Sequence, residues 1–91
     1  MRLHHAARYG WCSAIRWLLD HGANVEAATY DSGSTPLHFA TCDDRCDAAV
    51  LLLDAGARVD ARDQNSCTAL HRAARDSRIK MCKLLLSRGA S

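Results

Sequence analysis

The chain has 91 residues, 48% of them hydrophobic, with 12 Lys and Arg against 10 Asp and Glu for a formal net charge of +2. That length suits one small domain, which can bury roughly two-thirds or less of its unfolded surface and so has a thin stability margin. So small a charge gives no ground for a nucleic-acid partner, no apolar run approaches the roughly 18–20 residues of a membrane span, and the opening MRLHHAARYG lacks the apolar stretch of a signal peptide.

With one Phe, two Trp and two Tyr, the core has to be built from Leu, Ala and Val, and a single Pro with five Gly favours short helices over a sheet sandwich. Five cysteines is an odd number, which points to free thiols in a reducing compartment, cytosol or nucleus. Charge is unevenly spread. Residues 68–91 carry six basic groups against Asp76 alone, whereas residues 35–67 carry six acidic groups against three basic.

In chain order, a first helix runs to about residue 9 and stops at Gly10. A second covers about 12–20 with Ile15, Trp17, Leu18 and Leu19, and Gly22 follows where a left-handed cap belongs. The extended piece NVEA (24–27) leads to the turn residues DSGS (31–34). The next helix opens at TPLH (35–38): Thr35 offers an N-cap oxygen, and Pro36 at the first helical position has no donor to lose. It runs to about 42. Its partner covers 46–54 with Val50 to Leu53, then Gly56, RVDA (58–61) and DQNS (63–66). A third pair spans 68–75 and 79–87 before Gly89. Leucines as crowded as Leu51–Leu53 and Leu84–Leu86 cannot share one stripe, so these helices must be covered on more than one side.

The elements repeat. TPLHFA (35–40) returns 33 residues later as TALHRA (68–73), and LLLDAGA (51–57) as LLLSRGA (84–90). Thirty-four residues earlier stand RLHHAA (2–7) and WLLDHGA (17–23), with one extra residue in the connection AATYDSGS (27–34). Three units result, 1–34, 35–67 and 68–91, within a single domain. None can bury its apolar surface alone, and stacking does it.

This pattern resembles the ankyrin repeat, on T-P-L-H-x-A, the Ala pairs at 6–7 and 73–74, the L-L-L run, G-A and the V-x-A before each turn. The resemblance implies an all-α (α-rich) repeat solenoid: three stacked helix-turn-helix units joined by projecting β-turn fingers. It also implies Gly between the paired helices and in the finger turn. Gly10 and Gly33 fit, but Asp44, Ser77 and Ser66 stand at the other such sites. If those sites need positive φ, each costs on the order of 1 kcal/mol. The array begins inside a first helix and stops at GAS with no polar capping repeat, which suggests a piece of a longer array or an unusually short one.

Histidine and cysteine raise the question of chemistry. His4, His38 and His71 recur once per unit, as a brace must and a catalytic group need not. The resemblance implies that each imidazole bonds across its loop and to the neighbouring repeat, with Thr35 and Thr68 as caps. His5 and His21 fall off that register and belong on the surface. Cys42 and Cys46 are four apart, but structural zinc needs a second such pair, and none exists. By register Cys12 and Cys46, matched by Ile79, are expected buried, as is Cys82, which matches Ile15 and Ala49. Cys42 and Cys67 are expected exposed. The sequence holds no Gly-rich phosphate loop, no paired-carboxylate motif and no serine with a His/Asp setting. No catalysis, cofactor, metal or small-molecule substrate is therefore expected.

Binding remains. The resemblance implies that partners meet the finger tips and the exposed side of the first helices, a concave face. The matching finger positions are Tyr30, Asp31, Ser32, Ser34, Gln64, Asn65 and Cys67. The helix positions are Arg8, Tyr9, Cys42, Asp43, Arg75 and Asp76. These vary between copies while the leucines around them do not. Tyr9 and Tyr30 are the best anchors. Trp11 and Trp17 are expected in the core or between repeats, unless the first copy is exposed at the chain end. The reading is a monomeric module binding a protein or peptide within a scaffold, adaptor or substrate receptor. A structural spacer or assembly segment, or the regulatory repeats of an enzyme, are the alternatives.

Overall fold

A computed structural model describes residues 2–90. Among these are six helices: α1 (Arg2–Tyr9), α2 (Cys12–Asp20), α3 (Pro36–Cys42), α4 (Cys46–Asp54), α5 (Ala69–Arg75) and α6 (Ile79–Ser87). They form two layers. The inner row α1, α3, α5 packs side by side, and the outer row α2, α4, α6 does the same behind it. Each inner helix pairs with the outer helix that follows it.

Local chemistry sets the helix starts. Thr35 and Thr68 are N-caps with extended backbone, and each closes a reciprocal capping box in which the third helical residue is His38 or His71. The inner helices end in a tight turn to the outer ones. Arg45 N–H reaches the Ala40 carbonyl at 2.8 Å, and Arg78 N–H reaches that of Ala73 at 2.8 Å. Closing this turn demands a left-handed residue, Gly10 (φ 70°), Asp44 (57°) or Ser77 (56°), and the second finger demands another at Ser66 (62°). The sites read as needing positive φ do need it.

The core lies between the layers and between the repeats. Leu37, Ala40, Ala48, Ala49 and Leu52 fill the middle repeat, flanked by Leu3, Ala6, Ala7 and Ile15 on one side and Ala69, Ala73, Met81 and Leu85 on the other. Alanine on the inner helices lets the rows approach closely. Thr41, also fully buried, satisfies its hydroxyl on the Leu37 carbonyl at 2.8 Å.

Three expectations need correction. The segments read as extended, NVEA and RVDA, are tight turns: Ala27 N–H bonds the Asn24 carbonyl and Ala61 N–H that of Arg58, both at 3.2 Å. Asn24 favours this by accepting the Glu26 N–H on its side chain at 2.9 Å. Trp11 and Trp17 are exposed, not core, because they lie on repeat 1, where no repeat covers them in the described residues. The cysteines do not sort into buried and exposed; all five are half-buried. Cys42 lies under Arg72, and Cys67 is held in its turn. Cys12 and Cys46 begin outer helices at a half-covered flank, while Cys82 and the exposed Ile79 sit on the uncovered side of repeat 3.

Relieving a left-handed serine is worth about 1–3 kcal/mol, against about 0.4–1 kcal/mol lost to glycine's freedom in the unfolded chain. Ser77→Gly should therefore raise stability by roughly 0.5–1 kcal/mol, read as a higher urea midpoint. Gly10→Ala should lower it, since φ is positive there and a Cβ would meet Arg45 Cδ at 3.0 Å.

Candidate partner-binding face

The fingers and the inner helices place the candidate residues. In the first finger Thr29 is buried, and its hydroxyl accepts the Ser34 N–H at 3.2 Å. In the second, Asp63 stands at the matching position and accepts the N–H groups of Asn65 (2.8 Å) and Cys67 (2.9 Å). The two fingers are stitched together: Gln64 N–H donates to the Ser32 carbonyl at 2.9 Å, and the Gln64 side chain to that of Tyr30 at 3.3 Å. Gly33 permits this, since a Cβ there would meet Gln64 Cγ at 3.1 Å. The result is a braced tip carrying Tyr30, whose side chain is wholly exposed, beside exposed Asp31, Gln64 and Asn65. The Thr29 hydroxyl and the Ser32 N–H hold the Asp31 carboxyl below its ordinary value.

At the far ends of the inner helices lie Arg8, Tyr9, Cys42, Asp43, Arg75 and Asp76. A seven-residue helix separates the two groups by about 10 Å. Arg8 pairs with Asp43 across repeats at 3.4 Å, and Arg75 with Asp76 at 3.4 Å. Both pairs are solvated and contribute little to stability. Arg8 also lies over the Tyr9 ring at 5.8 Å, and Tyr9 stacks on Trp11 with ring centres 5.2 Å apart.

Between these groups sits an ion pair that the sequence reading missed. Arg72 bonds Asp63 at 2.6 Å and Ser34 at 3.1 Å through one nitrogen, and the Cys42 sulfur at 2.9 Å through the other. Burial pushes the Asp63 carboxyl up, but the Arg72 guanidinium and the two N–H donors outweigh it and bring the group down to about 2. Burial alone would lower Arg72, yet its bonds to Asp63 and Cys42 raise it. The signal was in the register. Arg72 replaces His5 and Phe39 of the other copies, and Asp63 replaces Thr29. Ser34, expected on the surface, is buried by this network, with its hydroxyl shared between Ser32 and Arg72.

The histidines hold the frame. His38 Nδ1 accepts the Thr35 N–H at 3.1 Å, so Nε2 carries the proton and donates to the Cys67 carbonyl at 3.0 Å in the following finger. His4 Nε2 donates to the Ala27 carbonyl at 2.6 Å. Met1, which matches Thr35, lies outside the described residues. His71 accepts from Thr68 N–H at 3.1 Å but is exposed, because no repeat follows to supply a carbonyl among the described residues. Burial lowers His4 and His38. No group of three or more His, Cys, Asp or Glu side chains among the described residues is placed to hold a metal ion.

A family model for ankyrin repeats matches residues 3–91 as three copies. The chain belongs to the ankyrin-repeat family. It is 43% identical over 74 residues to Inversin of Danio rerio, covering 77% of this chain and 7% of that protein. It is 41% identical over 69 residues to Palmitoyltransferase Hip14 of Drosophila melanogaster, covering 76% of this chain and 11% of that protein. Human Inversin is 37% identical over 90 residues, 99% of this chain and 8% of its own length. The chain thus spans about a tenth or less of the relatives it matches. Ankyrin repeats generally mediate protein–protein interaction and are typically non-catalytic. The enzyme among these relatives is matched over only 11% of its length. Among the described residues no helix is long and apolar enough to cross a membrane.

In this ankyrin-repeat chain the buried histidines should make stability depend on pH. A pKa depressed in the fold means the unfolded chain binds more protons, so stability rises with pH. It should be complete above about pH 6.5, the unfolded value, and decline as pH falls below it and His4 and His38 must charge in place. A second decline should begin near 3.8 and run toward about 2 as Asp63 loses its charge. Urea midpoints from pH 7.5 to 3 would check this. His38→Gln should lower the midpoint at neutral pH and reduce the first decline.

Proposed function

We propose that the chain is a non-catalytic protein-binding module that recognises a protein or peptide through its finger tips and concave helix face. It would do so as one single domain of three repeats, 1–34, 35–67 and 68–91, within a scaffold, adaptor or substrate receptor. A reducing setting, cytoplasm or nucleus, suits its five free thiols.

One observation carries the reading. Several residues that repeat between copies are buried (Leu3 and Leu37, Ala6, Ala40 and Ala73), whereas positions at which the copies differ (those of Tyr30 and Asn65, and the Arg8/Cys42/Arg75 position) place exposed Tyr30, Asn65, Arg8 and Arg75 at the tips and inner-helix ends. Shared positions serve the common frame, and variable exposed ones are free to serve one partner. Tyr30 and Tyr9 present large rigid surface at little entropic cost, and Arg8 and Arg75 add charge, the composition that dominates interface hot spots. The bonded fingers mean that Tyr30 is held in position before binding, which lowers the ordering cost of association.

Replacing Tyr30, Asn65 and Arg75 together with alanine should weaken partner binding by at least about 30-fold, near 2 kcal/mol, without lowering the unfolding midpoint appreciably. None of the three side chains is buried. A partner isolated with the wild-type chain, then titrated against the variant, supplies the measurement. Undiminished binding by a folded triple variant would favour the alternative of a structural spacer.

A further inference from the structure

Two residues expected to meet a partner are engaged inside the protein instead. Gln64 is exposed, yet its backbone N–H donates to the Ser32 carbonyl at 2.9 Å and its side-chain amide to the Tyr30 carbonyl at 3.3 Å. Ser34 is buried, with almost no surface to offer another molecule. Its hydroxyl lies 2.8 Å from that of Ser32, which lies 3.1 Å from that of Thr29. Arg72 of α5 closes the chain of bonds, since one of its nitrogens donates to the Ser34 hydroxyl at 3.1 Å and to Asp63 at 2.6 Å. Both fingers therefore hang from one guanidinium. In the first finger the bonds end on Thr29 and Ser32, on the two sides of Tyr30.

We propose that Gln64 and Ser34 are positioning residues, which act on binding through Tyr30 and not by touching the partner. This rests on the reading of the finger tips as binding surface. The Tyr30 side chain is wholly exposed, so no packing of its own holds the ring. Its place is set by the backbone that carries it. That backbone is shaped to receive the second finger: Gly33 stands at a φ of 66°, and a Cβ there would meet the Gln64 nitrogen at 3.2 Å.

The two side chains reach Tyr30 by separate routes. Gln64 holds the tip from the second finger, and without its amide only the backbone bond to Ser32 joins the two. Ser34 holds it from α5, passing the anchor at Arg72 on to Ser32 and Thr29. A turn held beforehand has less freedom to lose on association, so a loosened tip weakens binding although no contact is removed. Direct contact would behave otherwise. A partner bonded to the Gln64 side chain would lose that bond whether or not the Tyr30 ring were present, and the two losses would add.

Gln64→Ala and Ser34→Ala in the full chain test this, each with and without Tyr30→Ala. Urea midpoints verify folding, and Gln64 is exposed, so its variant should fold even if Ser34→Ala does not. In the free wild-type chain the backbone N–H order parameters of Tyr30, Asp31 and Ser32 should lie near about 0.85, and in either variant they should fall toward about 0.6. Against the partner isolated with the wild-type chain, each variant should bind roughly three- to tenfold more weakly. Neither should weaken binding further once Tyr30 is alanine. Three results would overturn the proposal alone: tip order parameters that both variants leave unchanged, a Gln64→Ala chain that binds as tightly as wild type, or losses that add in full to that of Tyr30→Ala. A Tyr30→Ala chain that binds like wild type would overturn it together with the reading of the tips as binding surface.

Discussion

The structure depends on one constraint: a pair of helices of seven to nine residues has more apolar surface than it can hide by itself. Helices this short are marginal in isolation, and here each is flanked by a neighbour that completes its burial. The middle repeat shows the consequence most clearly. Ala48, Ala49 and Leu52 have no exposed surface at all, because repeats on both sides cover them. Of the matching positions in the other repeats, Ile15, Met81 and Leu85 are equally buried, while Ala14, Leu18 and Cys82 are half-buried. Stability is therefore a property of junctions more than of units.

Polar groups follow the same logic. His38 satisfies one nitrogen within its own helix start and uses the other to tie the next finger in place, so one imidazole fixes both a cap and a junction. That arrangement holds only for the neutral ring, which couples the junction to pH. The Asp63–Arg72 pair does comparable work between repeats 2 and 3 at a single site that no other copy reproduces. Asp63 anchors the finger, and Arg72 links it to Ser34 and Cys42. Removing one partner would leave the other buried without compensation, which costs far more than the pair itself gains. This network ties the second finger to the inner helices, with the variable side chains projecting around it.

Much of this was legible in the sequence, and the reason is the repeat. Three copies of one pattern located the helices, the caps and the histidine brace, and even the positions of forced positive φ at Asp44, Ser66 and Ser77. The candidate face was legible in part: Tyr30, Tyr9, Gln64, Asn65 and Arg75 are exposed where the family pattern places them. What was not legible concerns single copies. Ser34 looks like a finger residue until Arg72, 38 positions away, folds over it. Trp11 and Trp17 look like core by composition, yet among the described residues no neighbour covers their side of repeat 1. The cysteines fail to sort because register predicts the environment of a repeat flanked on both sides, and among the described residues repeats 1 and 3 each have one neighbour.

The most direct test of shared burial is Leu52→Ala, at the centre of the stack. The account predicts a loss of about 2–5 kcal/mol in unfolding free energy, enough to unfold most of so small a domain in one cooperative transition measured by urea titration. A loss below about 1 kcal/mol, or melting of the middle repeat while its neighbours persist, would contradict it.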